Sequence, residues 1–556
     1  MNKFILIIIV IITITSCMEK EKKEKVPQPP MAAKKETVLT AHGHERNDPY
    51  YWLRERENPE VIAYLEAENK YKDTMLAHTD SLQQQLYEEI VGRIKQNDES
   101  VPYKDNGFWY YVRYEEGLEY PIYCRKKESL EAEEEILLNG NEMAEGFEFF
   151  NIAGLSVSSD DNLLAYGVDT VGRRNYTIYF KDLSNNEVLP ESIPNTVGYC
   201  AWANDNNTVF YTVKDEVTLR SDKIYKHKIF ENANQDKLVY HEEDPTFITF
   251  AFKTKSDQYI MIGSSSTLSN EYRYLDASEP DGEFKILSPR ERDHEYSVDH
   301  FEDKFYIVTN WKAQNFRLMT TPVTDTEKEN WQEVIPHRDD VLLEGIEIFR
   351  NFLVVDERKN GLTQLRIIDQ QSGNEHYLDF GEPAYSAYIS TNPDFNTDLL
   401  RFGYSSMSTP NSIYDYHMET REKTLKKRTE VLGDFDPDNY VTERLYATAR
   451  DGAKVPISLV YRKGLEKNGE NPLLLYGYGS YGHSIDPGFS SVRLSLLDRG
   501  FVFAIAHIRG SQTLGRQWYE DGKLLKKKNT FFDFIDCAEH LVAEKFTNPE
   551  KMFAQG

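Results

Sequence analysis

Cysteine is scarce: Cys17, Cys124, Cys200 and Cys537 stand far apart in 556 residues. No CxxC pair occurs, so neither a disulfide framework nor a cysteine zinc site is signalled. The 13 histidines do not fall at metal-ligand spacing. His42 and His44 lack a third ligand and read as a solvated loop, so no metal is expected. Positive charge is also in deficit. Against 92 Asp and Glu there are 65 Lys and Arg, a formal charge of -27. Such a chain repels nucleic acid phosphates and favours cationic partners. Long apolar runs are missing as well. Phe4 to Ile14, broken by Thr13, is too short to cross a bilayer comfortably as a helix. What is plentiful is aromatic: 36 Tyr and 29 Phe, suited to half-buried strands. With 40% hydrophobic and 28% charged residues the chain reads as a folded body, and 556 residues exceed one core.

The start of the chain reads as an address. Met1-Asn2-Lys3 is a short positive beginning, and the apolar run after it fits a signal-peptide core. Ile14-Thr15-Ser16-Cys17 resembles a bacterial lipoprotein box. The resemblance implies a signal over 1–17, cleavage before Cys17 and a lipid on its sulfur. Several acyl chains anchor stably where one does not. Residues 18–40, rich in Lys, Glu and Pro, read as a flexible tether. The expected location is the envelope of a bacterium, anchored to a membrane by lipid. The alternative is an ordinary secretory signal and a secreted or periplasmic protein.

A polar turn followed by a strand-like apolar run recurs along the middle of the chain. It appears at Asp105, Asp160, Asp205, Asp257, Asp303, Asn351 and Asp398, at intervals of 45–55 residues. This is the length of one four-stranded propeller blade. The spacing predicts a seven-bladed β-propeller over 85–435. Residues 41–84 read as a helical segment before it. Asn58-Pro59 opens one helix, and Ser81 caps a second, with Leu82, Leu86, Ile90 and Ile94 at helical spacing.

After residue 436 the pattern changes to an α/β one. Val441 to Ala449 and Val455 to Tyr461 flank the turn signal Asp451-Gly452. Leu473 to Tyr476 and Phe501 to Ile508 are apolar strands. Thr530, with Asp533 three residues on, reads as the cap of a helix, and Met552-Phe553-Ala554 begins another strand.

Against this background several stretches are similar to the prolyl oligopeptidase family, in its oligopeptidase B branch. They are Asp48-Pro49-Tyr50-Tyr51-Trp52-Leu53, Asp169-Thr170-Val171-Gly172-Arg173-Arg174, Tyr476-Gly477-Tyr478-Gly479-Ser480-Tyr481-Gly482, and Leu494 to Gly500 through Trp518 to Lys523. The resemblance runs from about residue 40 to the end. It implies a propeller covering an α/β-hydrolase domain, of which 436–556 is the first part. It also implies a serine endopeptidase that cleaves short peptides after Arg or Lys through an acyl-enzyme, without a cofactor.

In this family the nucleophile lies in Gly-Gly-Ser-x-Gly-Gly, on a sharp turn after a strand. Gly556 resembles its first glycine, so the serine and the later aspartate and histidine are expected beyond Gly556. The chain as given is therefore expected to be an inactive fragment. Tyr478 matches the oxyanion-hole tyrosine. Asp486 matches one of two acidic positions that bind basic side chains, and Gly488 stands at the other, which weakens a dibasic preference. Ser480 is not expected to be a nucleophile. Ser511 replaces a glycine usual in the family. The competing expectation is a lipoprotein whose propeller binds a ligand without chemistry.

Overall fold

The computed structural model describes residues 27–556. The expected signal with Cys17, and the first part of the expected tether, lie outside the described residues. The chain divides into two compact units after Val91.

In the first unit, strands Val38–Ala41 and His44–Asn47 form a hairpin. Its turn places His42 and Gly43 at φ 51° and 77°. The Trp52 indole is buried and donates to the Ala33 carbonyl at 2.8 Å. Helix Pro59–Leu76 starts where Asn58 offers its side-chain oxygen to the Glu60 N–H. Pro59 occupies the first turn, where its missing donor costs nothing. A second helix spans Asp80–Gly92.

The second unit contains the β-rich region. Its strands form one five-stranded sheet from Asp98–Glu99 to Glu134–Asn139, then one seven-stranded sheet from Asn151–Val157 to Lys237–His241. Four four-stranded antiparallel sheets complete it, the last ending at Lys423–Arg428. The expected seven-bladed propeller is thereby corrected. Five sheets have the size of a single blade, and the sixth is continuous across the repeat the spacing began at Asp205. The physical cause is strand Glu187–Trp202, 16 residues long, which pairs with Tyr176–Asp182 on one side and Thr208–Lys214 on the other. Register shifts on both sides bend it without breaking the ladder. Polar turns at a constant period mark hairpins and do not reveal whether the sheet is interrupted between them.

The C-terminal region is a five-stranded sheet in the order Tyr440–Thr448, Lys454–Arg462, Val502–Ala506, Leu473–Tyr476, Met552–Gln555. Leu473–Tyr476 lies between two parallel neighbours. Alternation along Lys454–Arg462 divides the core. Val455, Ile457 and Leu459 pack with Cys537 and Leu541 of helix Lys528–Ala543, whereas Val460 packs with Leu494 and Leu497 of helix Ser491–Leu497. Both faces are covered, which is why these strands are continuous apolar runs.

The cap expected at Thr530 is also corrected, because the helix begins at Lys528 and Thr530 lies inside it. The Thr530 hydroxyl is drawn to the Arg509 and Gly522 carbonyls at 2.8 and 3.1 Å. Asp533 is fully buried and accepts from Arg509: from its backbone N–H at 3.0 Å, Nε at 2.8 Å and Nη2 at 2.6 Å. Tertiary partners have outcompeted the local capping arrangement.

Candidate active site

Strand Leu473–Tyr476 runs directly into the loop Gly477–Gly482. Gly479, Tyr481 and Gly482 have φ of 60°, 54° and 72°. Gly479 must be glycine on two counts: the left-handed φ, and the space. A Cβ there would lie 2.6 Å from Thr530 Cγ2 and 2.9 Å from the Arg509 carbonyl oxygen. Gly510 is as tightly placed, since its Cβ would lie 2.1 Å from the Gly479 oxygen. The loop is also tied by hydrogen bonds. Gly477 N–H donates to Gln555 O at 3.1 Å, and Gly482 N–H to Gly510 O at 3.0 Å. The Lys527 ammonium donates to the Gly479 carbonyl at 2.5 Å and to Ser480 Oγ at 2.8 Å. Gly556 sits against this loop, as a Cβ on it would meet the Gly477 oxygen at 2.6 Å.

Tyr478 rides on this anchored turn. The residue is 42% exposed and its ring meets the His483 ring edge-on, centroids 5.6 Å apart. An exposed phenol on a backbone held at both ends can serve as a fixed donor to developing negative charge. Ser480 accepts from Lys527, and no histidine side chain bonds it among the described residues.

His483 also lines a cavity of about 380 Å³, with Tyr481, Gly482, Ser484 and Gln512 on one wall and Glu344 and Arg358 on the other. Asp486 lies two residues beyond Ser484. Its carboxylate is held by Arg358, with Nη1–Oδ1 at 2.6 Å and Nη2–Oδ2 at 3.1 Å. Arg358 Nε also donates to Glu344 at 3.0 Å. The sequence-predicted Tyr478 and Asp486 are thus linked through the His483 cavity, and Asp486 is already paired. Sequence reasoning missed Arg358, Glu344 and Lys527. A signal for Arg358 existed: Asp356-Glu357-Arg358-Lys359 puts four charges at the end of the apolar strand Phe352–Lys359.

Further contacts join the β-rich region to the α/β region. Arg516 pairs with Glu295 at 2.5 Å, and its backbone N–H donates to Asn315 at 2.8 Å. Gln314 bonds Gln517 at 3.0 Å, and Arg444 reaches the Asn360 carbonyl at 2.7 Å.

A Ser–His pair also exists that the sequence did not suggest. Ser458 Oγ lies 2.8 Å from His507 Nε2. Both residues are buried, at 0% and 3% exposure: Ser458 on strand Lys454–Arg462, and His507 directly after the neighbouring strand Val502–Ala506. Burial pushes the His507 imidazole down to about 3, so it is neutral. With no access for a substrate carbonyl, this pair is a feature of the core and not a nucleophile with its base.

Residues 29–429 match the description "Prolyl oligopeptidase, N-terminal beta-propeller domain", and residues 487–556 match "Prolyl oligopeptidase family". The chain is 45% identical over 548 residues to dipeptidyl aminopeptidase BI of Pseudoxanthomonas mexicana, covering 95% of this chain and 75% of that protein. It is 36% identical over 534 residues to Protease 2 of Moraxella lacunata, covering 95% and 77%. Oligopeptidase B from Leishmania major superposes with a TM-score of 0.89 at 35% identity, covering 95% of this chain and 78% of that one. The chain belongs to the prolyl oligopeptidase family of serine peptidases, close to oligopeptidase B and Protease 2.

Proposed function

We propose that these residues form the oxyanion side and part of the substrate pocket of a peptidase that cleaves short peptides next to basic residues. The observation that carries the reading is the placement of Tyr478. It is exposed, on a glycine turn fixed by Lys527, Gly510 and Gln555, and beside a cavity whose far wall carries charge. In this reading the scissile carbonyl is attacked by a serine activated by histidine. The Tyr478 hydroxyl donates to the oxyanion, and Asp486 faces a basic side chain of the peptide.

Neither Ser480 nor Ser458 is a nucleophile in this reading. Ser480 is bound by Lys527, and Ser458 is buried with His507. With neither of these serines placed to attack a bound carbonyl, the 556-residue chain alone is expected not to turn over an arginyl-peptide amide. Measured turnover by the purified chain would refute this. Where these residues are joined to the family's nucleophile turn, Tyr478→Phe should lower kcat by about 10²–10³-fold, the cost of one oxyanion donor. An unchanged kcat removes Tyr478 from the mechanism.

A second reading is favoured by the 45% identity to a dipeptidyl aminopeptidase: release of dipeptides from a free N-terminus. Blocking the amino group of a test peptide separates the two. An endopeptidase tolerates the block, and an aminodipeptidase does not. For Cys17 we propose lipid attachment and a place on a bacterial membrane. Cys17→Ser should release the protein from the membrane fraction.

A further inference from the structure

Asp486 is read above as the carboxylate that meets a basic side chain of the peptide, and the following argument rests on that reading. In the structure this carboxylate is already taken. Arg358 grips both of its oxygens, and only 5% of the Arg358 side chain is exposed. A bidentate Arg–carboxylate pair is among the stronger polar contacts a protein makes. A peptide cation must therefore compete with Arg358.

The surroundings give Arg358 a second place to go. Three carboxylates surround this one guanidinium: Asp486, Glu344 and Asp356. Glu344 accepts from Nε at 3.0 Å. Asp356 lies two residues before Arg358, on the same face of strand Phe352–Lys359. Asp356 Oδ1 is buried without a hydrogen-bond partner. Burial and the repulsion of Glu344 push the Asp356 carboxyl up to about 8. Of the neighbouring cations, Arg338 and Arg366 both pair with the fully buried Glu357. One guanidinium serves two bonded carboxylates and stands near a third acid that is largely neutral near pH 7 and ionises as a cation approaches, so the cluster has room for a second cation.

We propose that Arg358 is a specificity-determining residue: a basic peptide side chain takes Asp486 by displacing Arg358 toward Asp356 and Glu344. Arg358 thus sets how strongly this chain discriminates in favour of basic peptides. It is borne by the β-rich region and Asp486 by the α/β region, so occupancy of Asp486 by substrate replaces one of the ion pairs joining them.

The test needs binding and no turnover. Acetyl-Ala-Arg-Ala-amide and acetyl-Ala-Gln-Ala-amide are titrated calorimetrically into the full chain at low ionic strength. Arg358→Met should tighten the arginyl peptide by roughly tenfold, about 1.4 kcal/mol, and leave the glutaminyl peptide unchanged. Arg358→Lys keeps the charge without the fork and should give a smaller gain. The double variant R358M/D486N should lose the gain. Equal affinity of parent and Arg358→Met for the arginyl peptide overturns the proposal, as does a gain that survives in the double variant. If Arg358→Met folds poorly, the Arg358→Lys comparison decides, and no selective gain there overturns it. Asp486→Asn alone reports on the underlying reading. Unchanged arginyl-peptide affinity in that variant removes Asp486 from the subsite. A loss there with no gain in the Arg358 variants refutes the role of Arg358 alone.

Discussion

Replacing Arg509 by methionine tests how the Tyr478 loop is supported. Asp533 is fully buried and accepts three hydrogen bonds, all from Arg509. The substitution removes the two guanidinium bonds and leaves the backbone N–H. It also releases Asp451, which Arg509 Nη1 holds at 2.5 Å, but Asp451 is half-exposed and its loss counts for little. Stranding a buried carboxylate costs about 3–5 kcal/mol, and methionine keeps most of the packing volume. The whole chain need not unfold in one step, so the transition to follow is that of the α/β region. Trp518 reports it, because its ring lies 5.7 Å from the Arg509 guanidinium. Its fluorescence in urea should show the region destabilised by about 3 kcal/mol or more. The sharper test is a second change. Asp533→Asn in the Arg509→Met background removes the buried charge and should recover part of the loss, although Asp533→Asn alone destabilises. A loss below about 1 kcal/mol, or a double variant no better than Arg509→Met, would refute the argument that the buried charge needs its partner.

Other expectations follow from the same structure. Leu475 is fully buried in the main core of the α/β sheet, so Leu475→Ala should cost about 2–5 kcal/mol in the same urea assay. The buried imidazoles set an acid limit. His507 is held down to about 3 by burial, against an ordinary value of 6.5. The unfolded chain therefore binds a proton that the folded chain refuses between these values. The stability is present in full above 6.5 and falls as the pH drops toward 3. His294 and His300, both held to about 4 by burial, act in the same direction. His507→Gln, which can still bond Ser458, should flatten the decline of melting temperature between pH 6 and 4, a window bounded by these values. An unaltered slope would mean that the imidazole finds a proton in the folded state.

Much of the α/β region was legible because its cues are local. An apolar run ending in glycines gave strand Leu473–Tyr476, and the glycines around Tyr478 marked a tight turn where a side chain is held out from the backbone. The failures share a cause of the opposite kind. Thr530 and Asp533 have the right spacing for a cap, yet both bond to Arg509, some twenty residues away. Arg358 is separated from Asp486 by 128 positions, and no periodicity connects them. The turn at Asp205 is real, but whether its sheet is interrupted depends on strand Glu187–Trp202 continuing between two neighbours. In each case the decisive partner is distant in sequence, and local propensity is only a weak prior against it.

Lys527 shows how far the structure goes to fix that turn. It stands at the start of helix Lys528–Ala543, where the helix macrodipole disfavours a positive charge. Burial further lowers its pKa from the ordinary 10.5. Among the described residues no carboxylate lies within ion-pairing distance of it. What it has instead is the Gly479 carbonyl and the Ser480 hydroxyl, the two groups that follow Tyr478. A charge placed against the helix dipole and partly desolvated is destabilising unless its hydrogen bonds offset the cost. Here those bonds fall on a loop with three residues at positive φ, one of them the non-glycine Tyr481. Left-handed backbone of this kind persists only where its surroundings over-determine it. The steric fit of Gly479 against Gly510 blocks movement inward, and the ammonium opposes movement outward. A displacement of 1 Å in a positioned group can cost about 10²-fold in rate. A chain that restrains one glycine turn from two directions, at some cost to a helix, meets the rigidity that the role proposed for Tyr478 requires.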